Sequence, residues 1–258
     1  TVVSGGGSAT FGGSIGDSGS ALNNLTVRHG RCNGSCATYA TEGGGIVNYG
    51  TLTVTNSVIS NNSASNQGGG IFSNVILAVT NSTITNNSAD SGGGIMNNAI
   101  MDVTNSTISG NTASNQGGGL FNYSGTVTII KSTISNNSAT SQGGGIMNFS
   151  TGTLTLTNST LSNNSAPLDG GGIYNASSQP LTVTNSTLSG NAADTGGGIH
   201  NFEGTLNLIN TIIANSTTGG DCFNNSSNGI IGSNSNNLIE ATGANACGLT
   251  NGSNNNII

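Results

Sequence analysis

The chain has 258 residues, 43 of them Gly and 42 Asn, with three basic and nine acidic side chains, no Trp and a formal net charge of −6. Charged residues are 5% of the total, against roughly 25% in an ordinary globular domain. Arg28, Arg31 and Lys131 are the only basic residues, so no positive stripe is available for a phosphate backbone, which excludes nucleic acid binding. No apolar run approaches the ~20 residues of a membrane span, so no transmembrane segment is expected. The first residues lack a basic start followed by an apolar stretch, and a mature or trimmed product, or a fragment, is the expectation.

Residues 1–42 read as irregular N-terminal coils, residues 43–216 as regular repeats and residues 217–258 as irregular C-terminal coils, all within one domain spanning 1–258. In the regular part a Gly-Gly-Gly triplet followed by Ile or Leu recurs, with the apolar residue at Ile46, Ile71, Ile95, Leu120, Ile146, Ile173 and Ile199, spaced 25, 24, 25, 26, 27 and 26 residues apart. A second block follows each triplet, as in LTVTNSVISNNSA from Leu52, LAVTNSTITNNSA from Leu77 and LTLTNSTLSNNSA from Leu154. Within these blocks apolar and polar residues alternate with period two, which signals strands that bury one face. Stacking equivalent positions at ~4.8 Å builds continuous aliphatic ladders, the interior of a solenoid. The expected fold is all-β: a single right-handed parallel β-helix, or β-solenoid, of about ten coils with 24–27 residues each.

The Asn content belongs to the bends. One position alternates Asn and Gly, at Asn61, Asn86, Gly110, Asn136, Asn163, Gly190 and Asn215, which predicts a left-handed backbone conformation there. Another row, Asn56, Asn81, Asn105, Asn158, Asn185 and Asn210, is expected to form an inward amide ladder. Lys131 interrupts it and either points outward or marks a locally different bend.

These motifs, GGGI-x-N followed by L-T-V-T-N-S-T-I-S-N-N-S-A, resemble those of bacterial secreted right-handed β-helix repeat proteins of the CSLREA and choice-of-anchor type, and more loosely the repeats of chlamydial polymorphic outer-membrane proteins. The resemblance runs from about Leu22 to Cys247. Its most specific part is NTIIANSTTGGDC, from Asn210 to Cys222, with NLI at Asn237 to Ile239 and then Cys247. It implies an extracellular or cell-surface location and an adhesive or structural role, with no catalytic motif to carry over.

Four Cys without His partners at metal-binding spacing suggest an oxidising compartment and no metal site. Cys222 and Cys247 lie one coil apart, at ~5 Å between stacked Cα atoms, within reach of a disulfide, and Cys32 and Cys36 could close a small local loop. The nine acids (Asp17, Glu42, Asp90, Asp102, Asp169, Asp194, Glu203, Asp221 and Glu240) fall one or fewer per coil, whereas polysaccharide chemistry needs clustered carboxylates beside a base. Asp169 and Asp194 sit near the same bend of neighbouring coils, and His200 is followed by Glu203 across a turn. Neither pair makes a catalytic set. No catalytic residue, cofactor or metal ligand is assigned.

A stripe of larger side chains is the candidate interaction surface. Val47, Phe72, Met96, Phe121, Met147, Tyr174 and His200 follow the GGGI residue and by alternation face away from the interior, as do Tyr49, Tyr123, Phe149 and Phe202 two positions on. Of the seventeen Asn-x-Ser/Thr triplets, Asn33, Asn61 and Asn136 are the plausible glycan acceptors. The leading expectation is a non-enzymatic extracellular structural or adhesive solenoid, whose partners are surface glycans, proteins or copies of itself. Both ends look uncapped, which points to end-to-end assembly into a fibre. One alternative is ice binding by outward Thr55, Thr80, Thr104, Thr157 and Thr184 beside Thr53, Thr155 and Thr182, ranks broken by Ala78, Asp102 and Ile130. A polysaccharide-degrading β-helix enzyme is the other.

Overall fold

The computed structural model describes residues 2–4, 9–11, 19–32 and 41–258. Each regular coil carries three strands and, in several coils, a short fourth. In the first regular coil these are Ile46–Asn48, Thr51–Thr55, Val58–Ser60 and Ser63–Ala64. The strands pair in parallel with their equivalents one coil away, in the register of the sequence repeat apart from irregularities after Ala89, Asn175 and Leu206: Ile71 pairs with Ile46 and Ile95, Leu77 with Leu52 and Met101, Ile84 with Ile59 and Ile108. Among the described residues the third strands stack into a ten-stranded sheet, the first and second share a 17-stranded one, and the fourth build one of five. The solenoid makes about seven turns, fewer than the ten expected, because the period holds only through the triplet-bearing coils. The irregular ends still add strands to all three faces, as Ala9–Phe11, Ser20–Asn23 and Thr26–Arg28 do before the first triplet and Cys222–Asn224, Gly229–Ser235 and Leu238–Ile239 do after the last.

Period-two alternation positions the core. The rows that begin at Ile46, Leu52, Val54 and Ile59 point inward and pack into one continuous cluster running from Leu22 to Cys247. Every member from Ile46 to Ile213 is fully buried. Each such side chain is worth about 1.5–3 kcal/mol when removed from water.

The corners correct one expectation. Asn61, Asn86, Asn136, Asn163 and Asn215 do adopt left-handed backbone, with φ between 54° and 57°. So does the row Asn56, Asn81, Asn105, Lys131, Asn158, Asn185 and Asn210, with φ between 48° and 52°, and every one of these side chains is exposed. It is a second bend row and not an inward ladder. A left-handed residue at a corner directs its Cβ outward and turns its successor in, so Lys131 simply points to solvent like the Asn residues above and below it.

The inward amide ladder is formed one residue after the other bend. Asn62, Asn87, Asn111, Asn137, Asn164 and Asn191 are buried, and each Nδ2 donates to the next Oδ1 at 3.0 Å. The successors of the outward row, Ser57, Ser82, Ser106, Ser132, Ser159 and Ser186, form a hydroxyl ladder in which Ser82 Oγ accepts the Ser57 N–H at 3.0 Å and donates to the Thr80 carbonyl at 2.8 Å. A third ladder, unanticipated, runs along the first strands: Asn97, Asn122, Asn148, Asn175, Asn201 and Asn224, with amide contacts of 2.7–3.0 Å. These ladders pair the polar groups that tight bends would otherwise leave buried and unpaired.

The triplets turn the chain back onto the first strand. Gly68, the first of its triplet, has φ 66°, and a Cβ on Gly69 would collide with the Ser88 carbonyl oxygen of the next coil. No residue but Gly fits both needs.

The residues from Asn251 to Ile258 fold back along the third face. Ile239 N–H donates to the Ile257 carbonyl at 2.9 Å, and Ile257 N–H donates to that of Asn237 at 2.8 Å. The outer side of this last rung is also satisfied: Gly252 N–H donates to the Asn256 carbonyl at 2.8 Å and Asn251 Oδ1 accepts from Ile258 N–H at 3.2 Å. Cys222 and Cys247 form a disulfide that ties the last coil to its neighbour, with Cα atoms 4.8 Å apart. Cys32 is buried; its proposed partner Cys36 lies outside the described residues.

Candidate interaction face

The row Val47, Phe72, Met96, Phe121, Met147, Tyr174 and His200 does leave the main core, yet its members are only 1–6% exposed. They fill a groove between the outer side of the first strands and the arm that carries each triplet, and the apolar members form a second cluster. The roof is the arm itself: a Cβ on Gly117 would lie 2.8 Å from that of Phe121. Alternation therefore gives the side of the strand correctly and the exposure wrongly, because the returning arm covers the row.

What reaches solvent is the neighbouring row. Tyr123, Phe149 and Phe202 are 45%, 38% and 37% exposed, and Tyr49 is half-buried, its hydroxyl donating to Glu42 Oε2 at 3.0 Å. Tyr123 and Phe149 lie 5.7 Å apart between ring centroids, with Phe121 beneath them at 6.2 and 6.3 Å. A second group joins Tyr174, His200, Phe202 and Phe223: His200 stands edge-to-face against Tyr174 at 5.2 Å and against Phe223 at 5.0 Å. Ala176, in register with Phe149, separates the two groups.

The polar lip of the groove is made by the residues that precede the triplets. Gln116 Nε2 donates to Gln142 Oε1 at 2.8 Å, and Gln142 Nε2 to Asp169 Oδ2 at 2.9 Å. The other Asp169 oxygen lies 3.0 Å from His200 Nδ1. His200 thus pairs with Asp169 on the preceding coil and not with Glu203. Asp169 stands in register with Thr195, so Asp194 is displaced from it and exposed. Burial lowers the His200 pKa, opposed by the Asp169 charge and hydrogen bond. Burial first and the Asp169 charge second push Tyr174 up to about 12, with a Gln142 hydrogen bond pulling the other way.

The remaining acids act locally. Asp221 is buried and accepts the backbone N–H groups of Ser216 at 3.2 Å and Ala241 at 2.7 Å, stapling the last coil. Glu240 accepts from Asn215 N–H at 2.6 Å. Asp17 lies outside the described residues. Among the described residues no group of three or more His, Cys, Asp or Glu side chains could hold a metal ion, and no helix is long and apolar enough to cross a membrane. Asn61 and Asn136 are exposed at their corners; Asn33 lies outside the described residues.

Sequence reasoning missed the Asp169 and His200 contact and the part of Gln142. A signal existed in the row before the triplets, Glu42, Gln67, Ser91, Gln116, Gln142, Asp169 and Thr195, which is polar throughout.

Residues 78–209 match the family model described as the right handed beta helix region, and residues 56–74 match the Chlamydia polymorphic membrane protein repeat. Neither a curated protein nor a solved structure matches the chain. The first of these models covers just over half of the chain and coincides with the coils in which register, ladders and aliphatic rows are most regular, so the chain belongs to the right-handed β-helix family.

Proposed function

We propose that the chain is a non-enzymatic surface-exposed solenoid that docks a partner, a glycan or a protein, through the aromatic face formed by Tyr123, Phe149 and Phe202. The observation that carries this reading is the concentration of exposed rings on one side of a chain that is only 4% aromatic, since exposed aromatics grouped together are the usual anchors of an interface. The match of residues 56–74 to a polymorphic membrane protein repeat supports a surface location. The engagement of Asp169 and Asp221 by side-chain and backbone donors supports structural rather than catalytic carboxylates. The contact we propose is lateral, because the exposed rings lie along the side of the solenoid.

The test is binding of the full chain to a glycan array and to whole cells, with Phe149→Gln and Phe202→Gln as variants. Both side chains are already exposed, so the fold is retained, and association should weaken by about tenfold or more, the effect of losing one interface anchor. Unchanged association, or release of sugars from a polysaccharide panel, overturns the proposal.

A second reading, ice binding, has one observation in its favour. Thr83, Thr107, Thr133, Thr160 and Thr187 form an unbroken outward rank on the third face. Thermal hysteresis of the purified chain would decide it.

A further inference from the structure

His200 occupies a place in its row held elsewhere by Val, Phe, Met or Tyr, and it carries the row's one imidazole into the groove. It is 6% exposed. Because Asp169 accepts at Nδ1, the neutral ring must carry its hydrogen there, leaving Nε2 as a bare lone pair. That Nε2 is buried and has no hydrogen-bond partner. Its surroundings are aromatic: Tyr174 from the preceding coil, Phe223 from the following coil and Phe202 on its own strand. The charged groups around it are few. Asp169 faces it from the arm of the preceding coil; Glu203 lies three residues along its own strand and is half-exposed; Asp194, on the adjoining arm, is exposed; Asp221, beside the strand of Phe223, is engaged with two backbone donors.

We propose that the His200 and Asp169 contact is an acid-released latch: while His200 is neutral it holds the arm and the aromatic group closed, and protonation drives the ring out of the groove and uncovers Tyr174 and Phe223. A second proton would create a donor at Nε2 with no acceptor, and a charge with little access to water; both costs vanish if the ring swings to solvent. Burial outweighs the Asp169 attraction, which is consistent with this direction. A His whose folded pKa lies below its unfolded value of about 6.5 binds fewer protons folded than unfolded. The stabilisation is therefore fully present above about pH 6.5 and falls as the pH drops from there toward the folded pKa. The latch does not depend on what the aromatic face binds.

The chain has two His, and His29 is exposed, so titration between about pH 8 and pH 5 isolates the latch from its carboxylates. We would follow both imidazoles by NMR and hydrogen exchange in residues 194–203 and 221–224, referenced to residues 84–111. His200 should titrate below the ordinary imidazole value of about 6.5, and exchange in the two segments should rise on acidification by about tenfold for each unit that its pKa lies below that value. His29→Gln should keep the rise. His200→Phe, which copies Phe72 and Phe121 of the same row, should abolish it. The proposal is overturned if His200 titrates at or above the ordinary imidazole value of about 6.5, or if His200→Phe shows the same acid step. Should His200→Phe not fold, the His200 titration midpoint in the unaltered chain, set against about 6.5, decides.

Discussion

Ser73 is the odd member of the Asn row on the first strands. Asn48 Nδ2 reaches its hydroxyl at 3.0 Å, but Ser73 is too short to continue, and the next rung, Asn97, is left with a buried Oδ1 that has no partner. Ser73→Asn should complete the ladder and stabilise the chain by about 1 kcal/mol, read as a higher denaturant midpoint. The opposite experiment is Asn137→Ala. Its Nδ2 bonds Asn164 Oδ1 and the Ile108 carbonyl, and its Oδ1 accepts both the backbone and the side chain of Asn111. Losing all four should cost about 3 kcal/mol or more, measurable by urea unfolding. The rows of Asn56 and Asn62 are both visible as rows in the sequence. Which Asn faces inward is not, because Asn56 and Asn62 are both Asn next to a bend, and the handedness of the corner rather than the residue type sends one out and the other in.

At the scale of the coil, strand positions and the aliphatic rows follow directly from period-two alternation and the repeat. The burial of Phe72, Phe121 and Tyr174 does not, since alternation reports one strand against its own sheet and is blind to an arm returning over the far side. The contact of Asp169 with His200 was likewise hidden. The two are 31 residues apart and meet only because each arm lies over the groove of the next coil. The last coil is held by different means: the disulfide, the Asp221 staple and the tail from Asn251 to Ile258. The loop closed by Cys222 and Cys247 spans 25 residues, for which chain entropy gives about 3.5 kcal/mol. Reduction, or Cys247→Ala, should therefore loosen this coil first, seen as faster proteolysis of residues 217–258 with the central coils unchanged.

Across the whole molecule each coil touches mainly its two neighbours, so stability is a sum of coil and interface contributions and opening starts at the ends. Hydrogen exchange should be slowest between residues 97 and 191, where three ladders and the aliphatic rows run unbroken, and faster toward both termini; uniform protection would contradict this. The ladders also give the solenoid an electrical sense that its net charge conceals. In both Asn columns, and in the Gln116 and Gln142 pair, every amide-to-amide bond runs from a donor on the N-terminal side to an acceptor one coil toward the C-terminus. Their small dipoles add along the axis instead of cancelling. Each column therefore presents oxygen at one end and N–H at the other. The Gln pair ends on the Asp169 carboxylate, the group such a donor end favours. Carboxylates are thus at home where a column finishes and ammonium groups where it begins, and a neighbour placed along the axis would meet complementary ends in one orientation and opposed ends in the other.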